Sequence, residues 1–157
     1  MALGTLLEQA GKPEEAESAY RQALKIEPEF APAANNLAWL LATRKQSPDL
    51  NEALRLALIA KKALPDDPYI ADTLGWVHYK RGAYKLALAQ FTMAAEKRPD
   101  MGTLRYHLAL ALHADGQTAA AEKELVKCLR AERKFPEYEA AEELLKKIKR
   151  QSAVDGG

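Results

Sequence analysis

The sequence predicts an all-helical protein of stacked helix–turn–helix units, and three observations carry that prediction. Ala16, Ala53, Ala87 and Ala121 are spaced 37, 34 and 34 residues apart. Each is followed four residues later by Tyr20, Ala57, Phe91 or Leu125, and seven later by Ala23, Ala60, Ala94 or Cys128. An upstream set repeats in phase: Leu3-Gly4, Leu37-Ala38, Leu74-Gly75 and Leu108-Ala109 lie 34, 37 and 34 residues apart, with Leu7, Leu41, His78 and Leu112 three residues further on. No run alternates with the two-residue period of a strand. A period near 34 marks helical hairpins, each of which buries its apolar face only against its neighbours.

The elements follow in order. First helices are expected near residues 2–10, 31–44, 68–81 and 102–114, and second helices near 13–26, 49–63, 84–97 and 118–131. Gly11, Gly82 and Gly116 mark turns, and Pro28, Pro65 and Pro99 close units. The units run over 1–30, 31–67, 68–101 and 102–135, within one domain of 157 residues. Met1 falls at the fifth position of unit one, so its first helix lacks a full turn and the chain reads as a segment of a longer array. Unit two carries three extra residues between its helices: Leu37 to Ala53 is 16 residues where the other units have 13. There Ser47-Pro48 reads as an N-cap followed by proline at the first helical position. After unit four, Phe135-Pro136 opens a last helix near 137–150, within a cap over 136–151. Its apolar residues Tyr138, Ala141, Leu145 and Ile148 recur at three- and four-residue steps, and its other face is charged, as a cap requires.

Composition narrows the function. The net charge of +1 offers no diffuse attraction for nucleic acid. The basic run Lys146-Lys147-Ile148-Lys149-Arg150 closes a helix that opens with Glu137, Glu139, Glu142 and Glu143, which complements the helix dipole. Cys128 is the single cysteine, so no intrachain disulfide forms. No apolar run nears the ~18–20 residues that span a bilayer. Nor does a secretory signal open the chain. A soluble cytoplasmic or periplasmic protein is expected. His78, His107 and His113 lack metal-pair spacing, and no CxxC, HExxH or Gly-rich phosphate loop occurs, so no metal, cofactor or catalysis is expected.

These residues resemble the tetratricopeptide repeat pattern W-x2-L-G-x2-Y, then A-x3-F, then P. Unit three is the best match, with Leu74-Gly75, His78, Gly82, Tyr84, Ala87, Phe91, Ala94 and Pro99. It departs from the pattern in having Ala71 for Trp and His78 for Tyr. The resemblance implies a right-handed α-solenoid with a C-terminal capping helix. It also implies that positions 2, 5, 9, 12 and 13 of each first helix line a concave groove, opposite the core positions 4, 7, 8 and 11. In units two to four those fifteen positions hold five aromatics, where a 7% aromatic content gives about one. Both tryptophans are among them. Trp and Tyr dominate contact energies because they are large, stiff and partly polar.

The candidate partner-binding residues are therefore Trp39, Tyr69, Trp76, Tyr79 and Tyr106, with Asn35, Asp72, Lys80 and His113 setting orientation. The expected role is a protein–protein interaction scaffold holding an extended or helical segment. The competing structural reading packs Trp39 and Trp76 into the flanks of neighbouring helices. The clamp by which some family members hold chaperone C-terminal carboxylates is absent, since its positions hold Asn35, Trp39, Thr73, Thr103 and His107. Asn35-Asn36-Leu37-Ala38-Trp39-Leu40 and Ala71-Asp72-Thr73-Leu74-Gly75-Trp76 are similar to phrases in bacterial tetratricopeptide proteins, some from exopolysaccharide export and surface-protein sorting systems. Two alternatives follow: self-association through an apolar edge at Leu3, Leu6 and Leu7, and a glycan-binding groove.

Overall fold

The computed structural model describes residues 2–46, 48–131 and 134–155. Among these are nine α-helices and no strand. The chain forms two compact units, Met1–Gly82 and Ala83–Gly157.

The first unit holds α1 (Ala2–Gln9), α2 (Pro13–Ile26), α3 (Ala31–Thr43), α4 (Leu50–Ala63) and α5 (Pro68–Lys80). Every boundary lies within about two residues of its sequence expectation. Gly11 makes the α1–α2 turn at φ 71°, a conformation that a side chain disfavours. Pro13 then opens α2, with Glu14 and Glu15 in its first turn and Lys25 in its last. Asp67 caps α5 by accepting from the Tyr69 and Ile70 backbone N–H groups at 2.8 and 3.0 Å. Consecutive helices pack on one another, and α3 also packs directly on α5. The repeated small residues permit this close approach: Ala16, Ala53, Ala57 and Ala60 are wholly buried. At Gly4 an added Cβ would stand 2.3 Å from the Tyr20 ring, so only glycine lets α1 and α2 meet there.

The insertion in unit two differs in detail from the expectation. The helix α3 has 13 residues, as α5 has, so the extra residues lengthen the connection and not the helix. The cap is Asp49, whose carboxylate accepts from the Glu52 N–H at 3.0 Å. Pro48 lies upstream of the helix, and the expected cap, Ser47, is outside the described residues. An aspartate directly before the first helical residue is a favoured N-cap.

The second unit holds α6 (Tyr84–Lys97), α7 (Gly102–Ala114), α8 (Thr118–Ala131) and α9 (Tyr138–Asp155). Ala87, Phe91, Ala94, Ala121, Leu125 and Cys128 are all fully buried, in the register that the repeat assigns. The Cys128 thiol donates to the Gly102 carbonyl at 3.2 Å. The last helix packs on α8 and α7 and buries Ala141 and Ile148 completely, with Tyr138, Leu144 and Leu145 packed against the same core. Thr103 fastens it by donating to Glu137 at 2.8 Å. It runs about five residues beyond its expected end.

Candidate functional site

The first helices of the first unit bring several candidates together. The chain doubles back between α3 and α4 and again between α4 and α5, so α3 and α5 run in the same direction, side by side. Trp39 and Trp76 occupy the same position of the two helices, and their ring centroids lie 5.8 Å apart with planes 40° from parallel. Tyr79, one turn after Trp76, stacks on it at 5.5 Å and 23°. The Lys80 ammonium stands 6.0 Å from the Trp76 centroid, within range of a cation–π attraction. Trp39, Trp76 and Tyr79 are partly buried, Lys80 is exposed, and Tyr69 at the start of α5 is 46% exposed. Trp76 packs against the unit's apolar core along one side.

Polar groups on this face are few; some bond within the protein, while the buried Asn35 Oδ1 and Trp76 Nε1 make no hydrogen bond among the described residues. The Asn35 amide donates to Asn36 at 3.3 Å, and Asn36 donates to the Tyr20 hydroxyl at 3.3 Å. The Tyr20 hydroxyl also lies 3.5 Å from Thr5. Burial, ahead of the nearby Glu8 carboxylate, holds the Tyr20 phenol above its usual pKa. The Thr43 hydroxyl folds back to the Trp39 carbonyl at 2.8 Å.

Asp72 corrects an expectation. It was assigned to the open face, but it is only 7% exposed. Both α3 and α4 pack on α5, so the fifth position of that helix is covered. Ala42 is wholly buried for a similar reason: helices flanked on both sides bury more than one stripe. His78, expected in the core, is only partly buried. That burial, with Arg81 nearby, lowers its pKa.

Tyr106 and His113 belong to the second unit. Tyr106 is partly buried and packs against that unit's core, 6.1 Å from the His107 ring. His113 is partly buried, with Nδ1 lacking a hydrogen-bond partner.

Sequence reasoning missed a charged clasp on the second helices. Arg21 of α2 grips Glu52 of α4 with two bonds of 2.7 and 2.8 Å, and Glu17 with a third of 2.9 Å. Glu17 in turn pairs with Arg44, which follows α3. The paired guanidinium holds the Glu52 carboxyl below its usual range. The lengthened connection borders a cleft of about 650 Å³ lined by Pro13, Glu17, Leu40, Thr43, Arg44 and Gln46 among others. Only the three-residue excess signalled it.

The arrangement defines a helical-hairpin repeat scaffold with a partly open aromatic face. The family model described as tetratricopeptide repeat matches residues 1–136. The chain belongs to the tetratricopeptide repeat family. It is 39% identical over 74 residues to TPR repeat-containing protein PA4667 of Pseudomonas aeruginosa; the match spans 47% of this chain and 12% of that protein. In fold it is similar to pilF of Pseudomonas aeruginosa, with a TM-score of 0.81 at 22% identity over 98% of this chain and 67% of that one. It is also similar to MamA from Desulfovibrio magneticus RS-1, with a TM-score of 0.72 at 19% identity over 99% and 94% of the two chains. A thermophilic TPR protein of Thermus thermophilus gives a TM-score of 0.77 at 20% identity over 94% and 78%. No helix among the described residues is long and apolar enough to cross a membrane.

Proposed function

We propose that this chain is a non-catalytic scaffold that binds a segment of another protein on the α3–α5 face. The observation that carries this reading is the stack of Trp39, Trp76 and Tyr79, which the fold leaves partly uncovered. Rings of this size on a partly wet face gain free energy when a partner completes their burial. Lys80 stands over Trp76, Tyr69 and the buried Asp72 lie on the same helix, and Asn35 lies on the helix that carries Trp39. Within the second unit Tyr106 and His113 on α7 are the corresponding candidates, and the repeats are proposed to run over 1–30, 31–67, 68–101 and 102–135 with a cap over 136–151.

Panning a random displayed-peptide library on the full chain tests this. Selected peptides should lose binding to Trp39→Ala and Trp76→Ala variants whose helical signal is retained. Peptides that bind both variants as well as the parent chain would contradict the assignment.

A second reading has its own support. Leu3 and Leu6 on α1 are 63% and 60% exposed, which favours self-association through that edge. Sedimentation of a Leu3→Glu, Leu6→Glu variant tests it: a change from oligomer to monomer is expected, and an unchanged sedimentation coefficient argues against it.

A further inference from the structure

We propose that the α3–α5 face continues at its α1 side into a site for one basic side chain of the partner, an arginine, whose guanidinium donates to Glu8 and Asn35. This rests on the partner-binding reading above and specifies one residue of the partner.

A cluster of oxygen atoms carries the proposal. Its centre is the hydroxyl of Tyr20, a residue only 1% exposed. Thr5 of α1 lies 3.5 Å from it, and Asn36 of α3 donates to it at 3.3 Å. Glu8 follows Thr5 by one turn, near enough that its carboxylate adds to burial in holding the Tyr20 phenol above its usual pKa. Asn35 joins the cluster through the bond from its amide to Asn36 at 3.3 Å. Two acceptors of this group are left over. Glu8 Oε1 and Asn35 Oδ1 are shielded from water, and neither takes a hydrogen bond among the described residues. A shielded acceptor without a donor is costly, and rare in folded chains.

Glu8 is also badly placed for stability. It stands in the last turn of α1, where the helix dipole disfavours an anion, and no basic residue shares that turn. Lys12 follows four residues later but pairs with Glu15 at 2.9 Å. The carboxylate, the amide oxygen and the negative end of the helix dipole all favour a positive donor at the same place.

A guanidinium suits this set better than an ammonium. Its planar fork presents five N–H donors in fixed directions and can serve acceptors from two helices at once. An ammonium is a compact point charge that holds its water more strongly. Glu8 and Asn35 are each partly exposed, and their terminal torsions turn easily, so both oxygens come within reach of a donor arriving at the face. Asn35 precedes Trp39 by one turn, ~6 Å along α3. An arginine held here brings a neighbouring apolar side chain of the partner to Trp39.

The test uses N-acetyl-arginine amide as probe and its neutral isostere, N-acetyl-citrulline amide, as control. Each is titrated into the full chain and into a Glu8→Gln variant. Binding is read from the NMR shifts of the Asn35 side-chain amide and of the backbone amides of residues 5 and 8. Arginine should bind at least about fivefold more tightly than citrulline, and Glu8→Gln should remove that difference. The melting temperature of Glu8→Gln should match or exceed that of the parent chain, because the lost carboxylate faces the wrong end of a helix dipole. Equal binding of the two probes, or a preference for arginine that survives Glu8→Gln, overturns the proposal. A melting temperature lowered by several degrees also overturns it, by making Glu8 a structural residue.

Library-selected peptides separate this inference from the reading beneath it. They should be enriched in arginine when selected on the parent chain and not when selected on Glu8→Gln. Peptides that lack the enrichment but still depend on Trp39 and Trp76 overturn the arginine site alone. Peptides that ignore the tryptophans, while the small probe still distinguishes arginine from citrulline, overturn the aromatic face and keep the arginine site.

Discussion

The two units treat their large side chains differently. In the second unit, the buried Phe135 meets Tyr138, the first residue of α9, edge to face at 5.6 Å, and α9 covers the core with Ala141 and Ile148 at no exposure. Tyr106 of α7 is partly buried and packs against that core. In the first unit the two tryptophans and Tyr79 stack on one another along α3 and α5 and stay partly open. The chain has the means to cover a ring, because it buries Phe135 just before α9. If the rings left partly open on α3 and α5 serve a partner, as proposed, stability and binding should separate along this division.

The largest expected effect breaks the covered side. Deleting residues 136–157 removes α9 and exposes the apolar side chains of α7 and α8, at a cost of ~3–6 kcal/mol. Chemical denaturation with sedimentation checks this; a truncated protein that stays monomeric and equally stable contradicts the role of α9.

Next comes the close packing within the first unit. Ala53→Leu should overpack a site with no free space and cost ~1–3 kcal/mol. An unchanged unfolding midpoint would contradict the register. Trp39→Ala should act the other way round, costing ~2 kcal/mol or more in partner affinity but under ~1 kcal/mol in stability.

The smallest effect comes from the second-helix clasp. Glu52 has a depressed carboxyl pKa because Arg21 favours its charged form. That stabilisation is complete above the unfolded carboxylate value, about 4.3, and disappears as pH falls through the lower folded value. Arg21 is 40% exposed, so the pair contributes no more than ~1 kcal/mol. The stability difference between parent and Arg21→Gln should be measurable at pH 7 and vanish near pH 2. A difference that persists at pH 2 would point to packing by the guanidinium stem instead.

Much of this was legible in the sequence, because repetition exposes spacing. Ala16, Ala53, Ala87 and Ala121 marked the crossings, and all four are buried completely. Gly11, Gly82 and Gly116 marked turns, and all three adopt positive φ. Position along one helix is less informative where that helix is flanked on two sides. Asp72 was misplaced for that reason: a helical wheel shows angle, not which neighbour covers it. The Asp49 cap was hidden by a competing Ser47-Pro48 signal nearby. The Arg21–Glu52 clasp joins residues 31 apart, and one sequence holds no mark of that pairing.

The central claim is that Trp39 and Trp76 serve a partner more than the fold. Measuring peptide affinity and unfolding free energy side by side for the parent chain and the Trp39→Ala, Trp76→Ala double variant tests it most directly. The account expects affinity to fall by about thirtyfold or more while the variant remains folded and cooperative at the assay temperature. A variant that unfolds at that temperature, or that binds as tightly as the parent, would make these rings packing residues and contradict the account.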